Sequence, residues 1–301
     1  MSNARKLADN LPREGQLSGR NKLVNGAMQI WQRATSFSGN SAYNADRWKV
    51  DNNSGGGGQS TDAPDGFTYS LKIDPSSGNA ALRQAIELPA AGEGGVFRSG
   101  QKFTLSFYLK SANAGEAINI FAASGTTVDA TTTAQVNDTS TGLTTATSWT
   151  RYTYTFTSNN VGGSDTCYNI VPYVSSPSGA TYWTGFQLEE GSQATPFEHE
   201  PTSVVLNKCH RYYYAHLYSK TSWLYPIHTA SAKGYRRSTV HFPTSMRTTP
   251  TCTVSITHSG GTSGVDGGVW IGPQTVGIYV NSINNETDYA YTSSITADAE
   301  F

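Results

Sequence analysis

The chain has 301 residues, of which 14% are charged, and a formal net charge of −1. This balance excludes a broad basic surface for nucleic acid or a polybasic membrane anchor. Hydrophobic residues make up 37%, below the usual range, whereas Gly and Tyr are abundant. Such a composition is typical of many short strands joined by polar turns, because aromatic and β-branched side chains fit a pleated sheet.

Targeting signals and the number of cysteines indicate in which cellular compartment the chain is assembled. No run of residues approaches the roughly 18 apolar residues that a membrane span needs, and MSNARKLADN lacks the apolar region of a signal peptide. The three cysteines, Cys167, Cys209 and Cys252, are far apart and odd in number. We therefore expect buried thiols and assembly in a reducing cytoplasm, without a disulfide scaffold or membrane insertion.

Residues 1–20 are predicted to form a separate N-terminal attachment segment. A two-turn helix over 3–11 would place Leu7 and Leu11 on one side, and Pro12 would end it. A helix this short is not stable alone. Two alternatives therefore stay open: a disordered tail, or a segment that docks on a partner protein.

Residues 21–200 are predicted to form an antiparallel jelly-roll sandwich. Apolar and polar residues alternate in many short segments; KFTLSFYLK at 102–110 turns Phe103, Leu105, Phe107 and Leu109 to one face. After an opening strand at 21–33, the predicted strands lie at 45–50, 67–73, 81–88, 102–110, 116–122, 149–157, 167–174 and 182–188. About nine short strands without a long helix predict a sandwich.

Two stretches of this domain are predicted to be loops. Residues 52–60, NNSGGGGQS, should form a mobile loop, since no Gly-Lys-Ser/Thr follows that would make a phosphate cradle. Residues 126–147 should form a long connection that could contain an edge strand. Trp31, Trp48 and Trp149 are predicted to lie in strands of the core, and one of Tyr182 and Trp183 should face solvent.

A short helical joint at 201–214 is predicted to lead into a smaller β-rich domain at 215–301. Ser203 would cap the helix, and the aromatic run that ends the joint should be packed. The strands predicted after it lie at 235–242, 251–256, 268–271, 275–280, 289–292 and 294–298. Because this domain has few apolar residues, we expect a homo-oligomeric interface to stabilise it.

Several motifs resemble known families. The Gln-Leu-Glu-x-Gly end of a strand at 187–191, Ala-Thr-Pro-Phe-Glu at 194–198 and Cys-x-Arg-Tyr-Tyr at 209–213 closely resemble tail-fibre and related appendage proteins of tailed bacteriophages. Phe-Pro-x-x-Met-Arg-x-x-Pro-Thr at 242–251 and the terminal Asp-Ala-Glu-Phe resemble the distal domain of phage fibre proteins. These resemblances imply a virion protein, commonly a homotrimer, assembled in the host cytoplasm and attached to other virion proteins through residues 1–20.

The order of the strands carries a second resemblance. Asn-x-Leu-x-Asn-Gly at 21–26 is followed by Tyr-Ser-Leu-Lys-Ile at 69–73, Phe-Thr-Leu-Ser-Phe-Tyr-Leu-Lys-Ser at 103–111 and Ser-Trp-Thr-Arg-Tyr-Thr-Tyr-Thr-Phe at 148–156. The series is similar to the jelly-roll carbohydrate-binding modules appended to glycosidases, over about residues 21–190. It implies the fold more directly than a ligand.

No constellation of residues indicates catalysis. Glu189, Glu190, Glu198 and Glu200 are close in sequence, but neighbours on a strand point to opposite faces and cannot form a glycosidase acid pair. The spacing of His199, Cys209, His210 and His216 matches no zinc signature, and no Gly-x-Ser-x-Gly occurs. We therefore predict no enzyme activity, no cofactor and no metal ligands, although a structural calcium held by backbone carbonyls stays open.

Exposed aromatic residues are the candidates for ligand contact. Rings stack on sugar faces, and four aromatic residues of the smaller domain lie near predicted loops or turns: Trp223, Tyr225, Trp270 and Tyr279. The alternative for each is intersubunit packing. We therefore predict a non-enzymatic tail-fibre or receptor-binding appendage that contacts host surface glycan. The alternatives are a capsid-decorating or head-fibre protein and, less favoured, a polysaccharide-degrading enzyme.

Overall fold

The computed structural model describes residues 19–39, 42–51, 55–89, 97–129, 133–159, 161, 163–217, 235–258, 262–265, 271–281 and 290–301. The chain divides into two compact units, Met1–Pro201 together with Phe301, and Thr202–Glu300. The predicted segment 1–20 lies outside the described residues except for Gly19 and Arg20. No helix in the described part of the chain is long and apolar enough to span a bilayer.

The first unit contains two six-stranded antiparallel sheets. Sheet A has the order β1 (Ser36–Ser38), β4 (Gly56–Ser60), β5 (Ser70–Asp74), β12 (Thr181–Glu190), β7 (Lys102–Ser111) and β10 (Thr150–Thr157). Sheet B has the order β2 (Ala42–Tyr43), β3 (Lys49–Asp51), β6 (Ala80–Glu87), β11 (Cys167–Val174), β8 (Ala117–Gly125) and β9 (Thr133–Thr144). The predicted all-β jelly-roll sandwich is confirmed.

One aromatic core joins the inner faces of the two sheets. Strand alternation turns Phe103, Leu105, Phe107 and Leu109 of β7 inward, and all four are completely buried. The ring of Phe107 lies 5.7 Å from Trp183 and 5.4 Å from Phe186, while sheet B supplies Trp48 at 4.4 Å from Phe186. The side chains of β7 that were predicted to face inward are therefore the ones that the structure buries in this core.

The glycine-rich stretch is a strand, not the predicted mobile loop. Residues 56–60 form β4, which pairs with both β1 and β5. A Cβ atom at Gly57 would lie 2.1 Å from the carbonyl oxygen of Lys72, and one at Gly58 would lie 2.3 Å from that of Thr35. At these two positions a side chain would collide with the backbone of the neighbouring strand. Glycine therefore lets the strands approach closely enough to pair.

The structure also decides the edge-strand alternative and the placement of the tryptophans. The long connection at 126–147 does contain an edge strand, the twelve-residue β9 at the edge of sheet B. Trp48 is a core residue as predicted, although it lies just before β3, and Trp31 and Trp149 lie outside strands and are only half-buried. Of the ambiguous pair, Trp183 is completely buried and Tyr182 is half-exposed on the outer face of sheet A.

A buried polar turn precedes the first strand. Asn25 has a positive φ of 57°; its Nδ2 donates to the carbonyls of Ile30 and Asp46, and its Oδ1 accepts from the amides of Gln29 and Ile30. Its own carbonyl accepts from Nε1 of Trp48 at 3.0 Å. Asn25 thereby gives hydrogen-bond partners to several backbone groups of this turn, which would otherwise be buried without a partner.

The segment at residues 195–198, just before the predicted joint, is tied to β12 of sheet A. Glu189 accepts from the amide of Thr195 at 3.0 Å, and Gln187 accepts from the amide of Glu198 at 2.7 Å. The carboxylate of Glu198 accepts from the amides of Gly19 and Asn21. The Ala-Thr-Pro-Phe-Glu motif therefore fastens the beginning of the described chain to the closing strand.

The second unit has one helix and seven short strands among its described residues. They are α1 (Thr202–His210), β13 (Tyr213–Leu217), β14 (Tyr235–His241), β15 (Thr251–His258), β16 (Thr262–Val265), β17 (Ile271–Gly272), β18 (Thr275–Asn281) and β19 (Ala290–Asp298). They form the sheets β13-β19-β15 and β14-β18-β16, with β17 also paired to β18. The helix begins at Thr202, so Ser203 lies in its first turn instead of capping it.

A small core closes this unit. Tyr214, Phe242, Met246, Val276 and Ile295 are its largest buried side chains. The ring of His210, at the end of α1, packs edge-on against Tyr214 at 5.4 Å. The predicted strands at 289–292 and 294–298 are one continuous strand, β19, and residues 268–270 of the predicted strand 268–271 lie outside the described residues.

Adjacent residues on β12 test the assignment of its two faces. Trp183→Ala should lower the free energy of unfolding of the first unit by about 3–5 kcal/mol, because it empties the centre of the aromatic core. Tyr182→Ala should cost less than half as much, because its ring lies outside that core. Urea denaturation followed by circular dichroism measures both, and equal losses would contradict the assignment.

The burial of His210 predicts that the second unit is less stable in acid. Desolvation lowers the pKa of His210 below its ordinary value of 6.5. The unfolded chain therefore binds a proton before the folded chain does, and stability is lost as the pH falls below about 6.5. Thermal unfolding from pH 8 to 5 should show this loss, and His210→Gln should reduce it; an unchanged slope in the variant would refute the assignment.

Candidate functional site

The outer face of sheet B combines small, amide and aromatic side chains. Register places Ala81 beside Tyr173, and Tyr173 beside Asn119, across β6, β11 and β8. One step along the strands, Val171 lies beside Phe121. Tyr173 and Phe121 are diagonal neighbours, about 7–8 Å apart between their backbones, and both are half-exposed.

A strap at residues 127–129 crosses one end of this face. The carbonyl of Thr127 accepts from Nδ2 of Asn169 on β11, and the carbonyl of Val128 accepts from Arg83 on β6. The carboxylate of Asp129 accepts from Nζ of Lys49 on β3 at 2.6 Å. Three successive residues thus bind three successive strands, and the strap forms a wall beside the rings.

The charges on this face are paired. Arg83 binds Asp51 at 2.5 Å, with side-chain exposures of 14% and 12%, and Lys49 binds Asp129. Both carboxylates are therefore held by cations and do not form an opposed acid pair. The charges nearest the strap are therefore neutralised as two ion pairs.

One buried acceptor on the face has no donor. The Oδ1 atom of Asn169 is completely buried and accepts no hydrogen bond within the described structure. Asn119, which is 3% exposed, donates to Ser175 Oγ at 2.6 Å. Amide side chains held in fixed positions beside rings are the groups that orient a polar ligand in a mainly apolar site.

The glycan contacts predicted from the sequence lie elsewhere. Trp223, Tyr225 and Trp270 lie outside the described residues. The backbone of Tyr279 lies on β18, paired with Arg237 and Gly264, but its side chain is outside the described part. All four assignments stay predictions.

The glutamates of the acidic cluster form hydrogen bonds and an ion pair within the first unit. Glu189 is 4% exposed and holds Thr195, whereas Glu190 is exposed and pairs with Lys22 at 3.2 Å. The two carboxylates therefore point to opposite faces. Glu198 is occupied by backbone amides, which leaves these groups without a catalytic arrangement.

The candidate histidines contact aromatic rings, although His199 and His216 are exposed. His199 lies 4.9 Å from Phe197, and His216 stacks 6.2 Å from Tyr214. All three cysteines are free thiols, and burial raises the pKa of Cys252 to about 11. In the chain as described, no group of three or more His, Cys, Asp or Glu is placed to hold a metal ion.

Sequence reasoning missed the residues of this face, although β11 carries a signal for them. The alternate positions Asn169, Val171 and Tyr173 share one face of a strand whose other face is apolar and fully buried. Because side chains alternate between the two faces of a strand, the sequence pattern identifies these three residues as facing outward. The strap and the partner residues on β8 could not be identified, because they depend on strand order.

Comparisons with known proteins were made on sequence and on structure. No protein-family model matches the chain, and no curated protein sequence matches it. Among solved structures, it is similar to TmCBM61, a structure in complex with β-1,4-galactotriose, at 16% identity and a TM-score of 0.33, covering 57% of this chain and 100% of that one. The CBM22-1 xylan-binding domain of Paenibacillus barcinonensis Xyn10C is similar at 13% identity and a TM-score of 0.34, covering 58% and 96%.

A phage structure is also similar. It is the enzymatically active domain of bacteriophage CBA120 tailspike protein 4, at 14% identity and a TM-score of 0.35. The alignment covers 57% of this chain and spans only 22% of the length of the tailspike chain. The fold assignment rests on the two sheets and their shared core.

The Arg83–Asp51 pair should couple β6 to β3. In a double-mutant cycle with Arg83→Met and Asp51→Asn, we expect a coupling of about 1–3 kcal/mol, because both partners are largely buried. The more exposed pair Lys72–Asp74 serves as the control and should couple by less than about 1 kcal/mol. Urea denaturation measures both cycles, and equal couplings would contradict a structural role for Arg83.

Proposed function

We propose that the chain is a non-catalytic glycan-binding protein of a bacteriophage virion, and that the outer face of sheet B contacts the glycan. The supporting observation is the cluster of Tyr173, Phe121, Asn119 and Asn169 beside the strap at 127–129. Rings offer flat apolar surfaces to the faces of sugars, and here the buried amides of Asn119 and Asn169 hold the strands and the strap around the rings.

The small residues of the face support this proposal. Ala81 and Ala123 flank Tyr173 and Asn169 on the neighbouring strands. Because alanine side chains are short, the rings and the strap stand above a lower floor. A pyranose ring could lie on this floor against the half-exposed rings of Tyr173 and Phe121, next to the nearly buried Asn119.

We propose a non-catalytic role because the carboxylates of this face form ion pairs. Glycoside hydrolysis requires one carboxyl group to donate a proton and a second to attack or to activate water. On this face, Asp51 and Asp129 are each bound by a cation. Binding without bond cleavage is therefore the chemistry that these described groups support.

The virion role rests on the motifs that resemble phage appendage proteins. The Ala-Thr-Pro-Phe-Glu motif has a defined task, because Glu198 and Thr195 fasten the start of the described chain to β12. A tail-fibre or receptor-binding appendage would combine this body with weak glycan contacts repeated over several subunits. Repetition raises avidity without new contacts.

Affinity electrophoresis in gels that contain xylan, β-glucan, galactan or galactomannan tests glycan binding. The wild-type chain should be retarded by at least one polysaccharide, and Tyr173→Ala should weaken that binding about five- to tenfold, as expected for a ligand-contacting ring. Thr153→Ala, an exposed change on β10, is the control. Retardation by none of the polysaccharides, or equal retardation of all variants, would refute this assignment.

Immunogold labelling of phage particles tests the virion role. We expect label at the tail, where a receptor-binding appendage would lie. Label on the head would support a capsid-decorating protein instead. Particles without label, from a preparation in which the antibody recognises the purified chain, would contradict both virion roles.

A further inference from the structure

The outer face of sheet A carries a separate row of aromatic and charged residues. On β12, Tyr182 lies between Lys72 of β5 and Lys110 of β7. Trp149 immediately precedes Thr150, which pairs with Leu109, so register brings Trp149 beside Lys110. Adjacent strands are about 4.8 Å apart, and the two aromatic residues are therefore about 10 Å apart across the sheet.

Hydrogen bonds fix the groups of this row. Nε1 of Trp149 donates to Asp62 Oδ1 at 2.9 Å, and Nζ of Lys110 donates to Asp62 Oδ2 at 2.6 Å. The same Nζ lies 5.5 Å from the ring centroid of Tyr182, and that of Lys72 lies 5.9 Å from it. The hydrogen bond from Lys110 holds the pKa of Asp62 below its usual value.

The fold does not need these rings for its core. Neither Tyr182 nor Trp149 belongs to the hydrophobic cluster between the sheets, and both are half-exposed. The ion pairs around them are also accessible: 30% of the Lys110 side chain and 40% of that of Asp62 are exposed. A fixed, accessible set of rings, donors and acceptors is the composition of a ligand site.

We propose that this row, Lys72, Tyr182, Lys110, Asp62 and Trp149, is a second glycan-binding site, selective for uncharged sugars. Lys72 is balanced by Asp74 and Lys110 by Asp62, so no net charge is left to bind a uronic acid. The separation of the two rings suits an oligosaccharide that lies across the strands and stacks a different sugar unit on each ring.

The second site extends the proposed function and rests on it for the class of ligand. The inner faces of the two sheets share one core, so their outer faces lie on opposite sides of the sandwich. A chain with a site on each side can bind two polysaccharide strands at once. The second site therefore gives a single chain the ability to cross-link glycan, in addition to any avidity from oligomers.

The same affinity gels, with the full-length chain, test the second site. Tyr182→Ala should weaken binding to a retarding neutral polysaccharide about five- to tenfold, and Trp149→Phe, which removes the hydrogen bond to Asp62, should weaken it less. Alginate and hyaluronan should not be bound through this row. Raising NaCl to about 1 M, where the Debye length is about 3 Å, should leave binding through this row unchanged.

The pattern over variants separates the two sites. Residual binding in Tyr173→Ala that is lost in the Tyr173→Ala/Tyr182→Ala double variant, with both variants folded by circular dichroism, would support the second site. Normal binding by Tyr182→Ala together with complete loss in Tyr173→Ala would overturn the second site and leave the proposed function intact. Loss in Tyr182→Ala alone would support the second site and refute the assignment to sheet B. A wild-type chain that no neutral polysaccharide retards would contradict both.

Discussion

The first unit depends on burying one layer of aromatic side chains between two antiparallel sheets. Phe107 of β7 contacts Trp183 and Phe186 of β12, and Phe186 contacts Trp48 next to β3. Since side chains alternate along a strand, fixing these residues inward fixes their neighbours outward. The outer faces that we propose as ligand sites are consequences of this core.

The two outer faces are specialised in different ways. On sheet B, alanines leave a low floor beside Tyr173, and the strap at 127–129 forms a wall. On sheet A, the glycines of β4 let backbone approach closely near one edge, while Tyr182 lies on the central strand β12 and Trp149 immediately precedes β10. In both places the charged groups next to the rings form ion pairs.

The polar elements at the beginning and end of the first unit are structural. Asn25 satisfies backbone groups within the opening turn, and Glu198 holds the amides of Gly19 and Asn21. Motifs that resemble those of phage appendage proteins therefore have a physical task in this fold. They fasten the beginning of the described chain to the closing strand β12.

The sequence by itself determined the all-β class, the inward faces of the long strands and the opposite directions of Glu189 and Glu190, because the alternation of side chains along a strand is a local property. The strand in the glycine-rich stretch could not be predicted from local sequence, because β4 forms by pairing with β1 and β5. The sequence also did not predict which residues group together on the outer faces. Tyr173, Asn119 and Arg83 come from segments far apart in the chain, and so do Tyr182 and Trp149. Only the strand order of the folded sheets brings them side by side, through hydrogen bonds between segments whose separation no local pattern encodes.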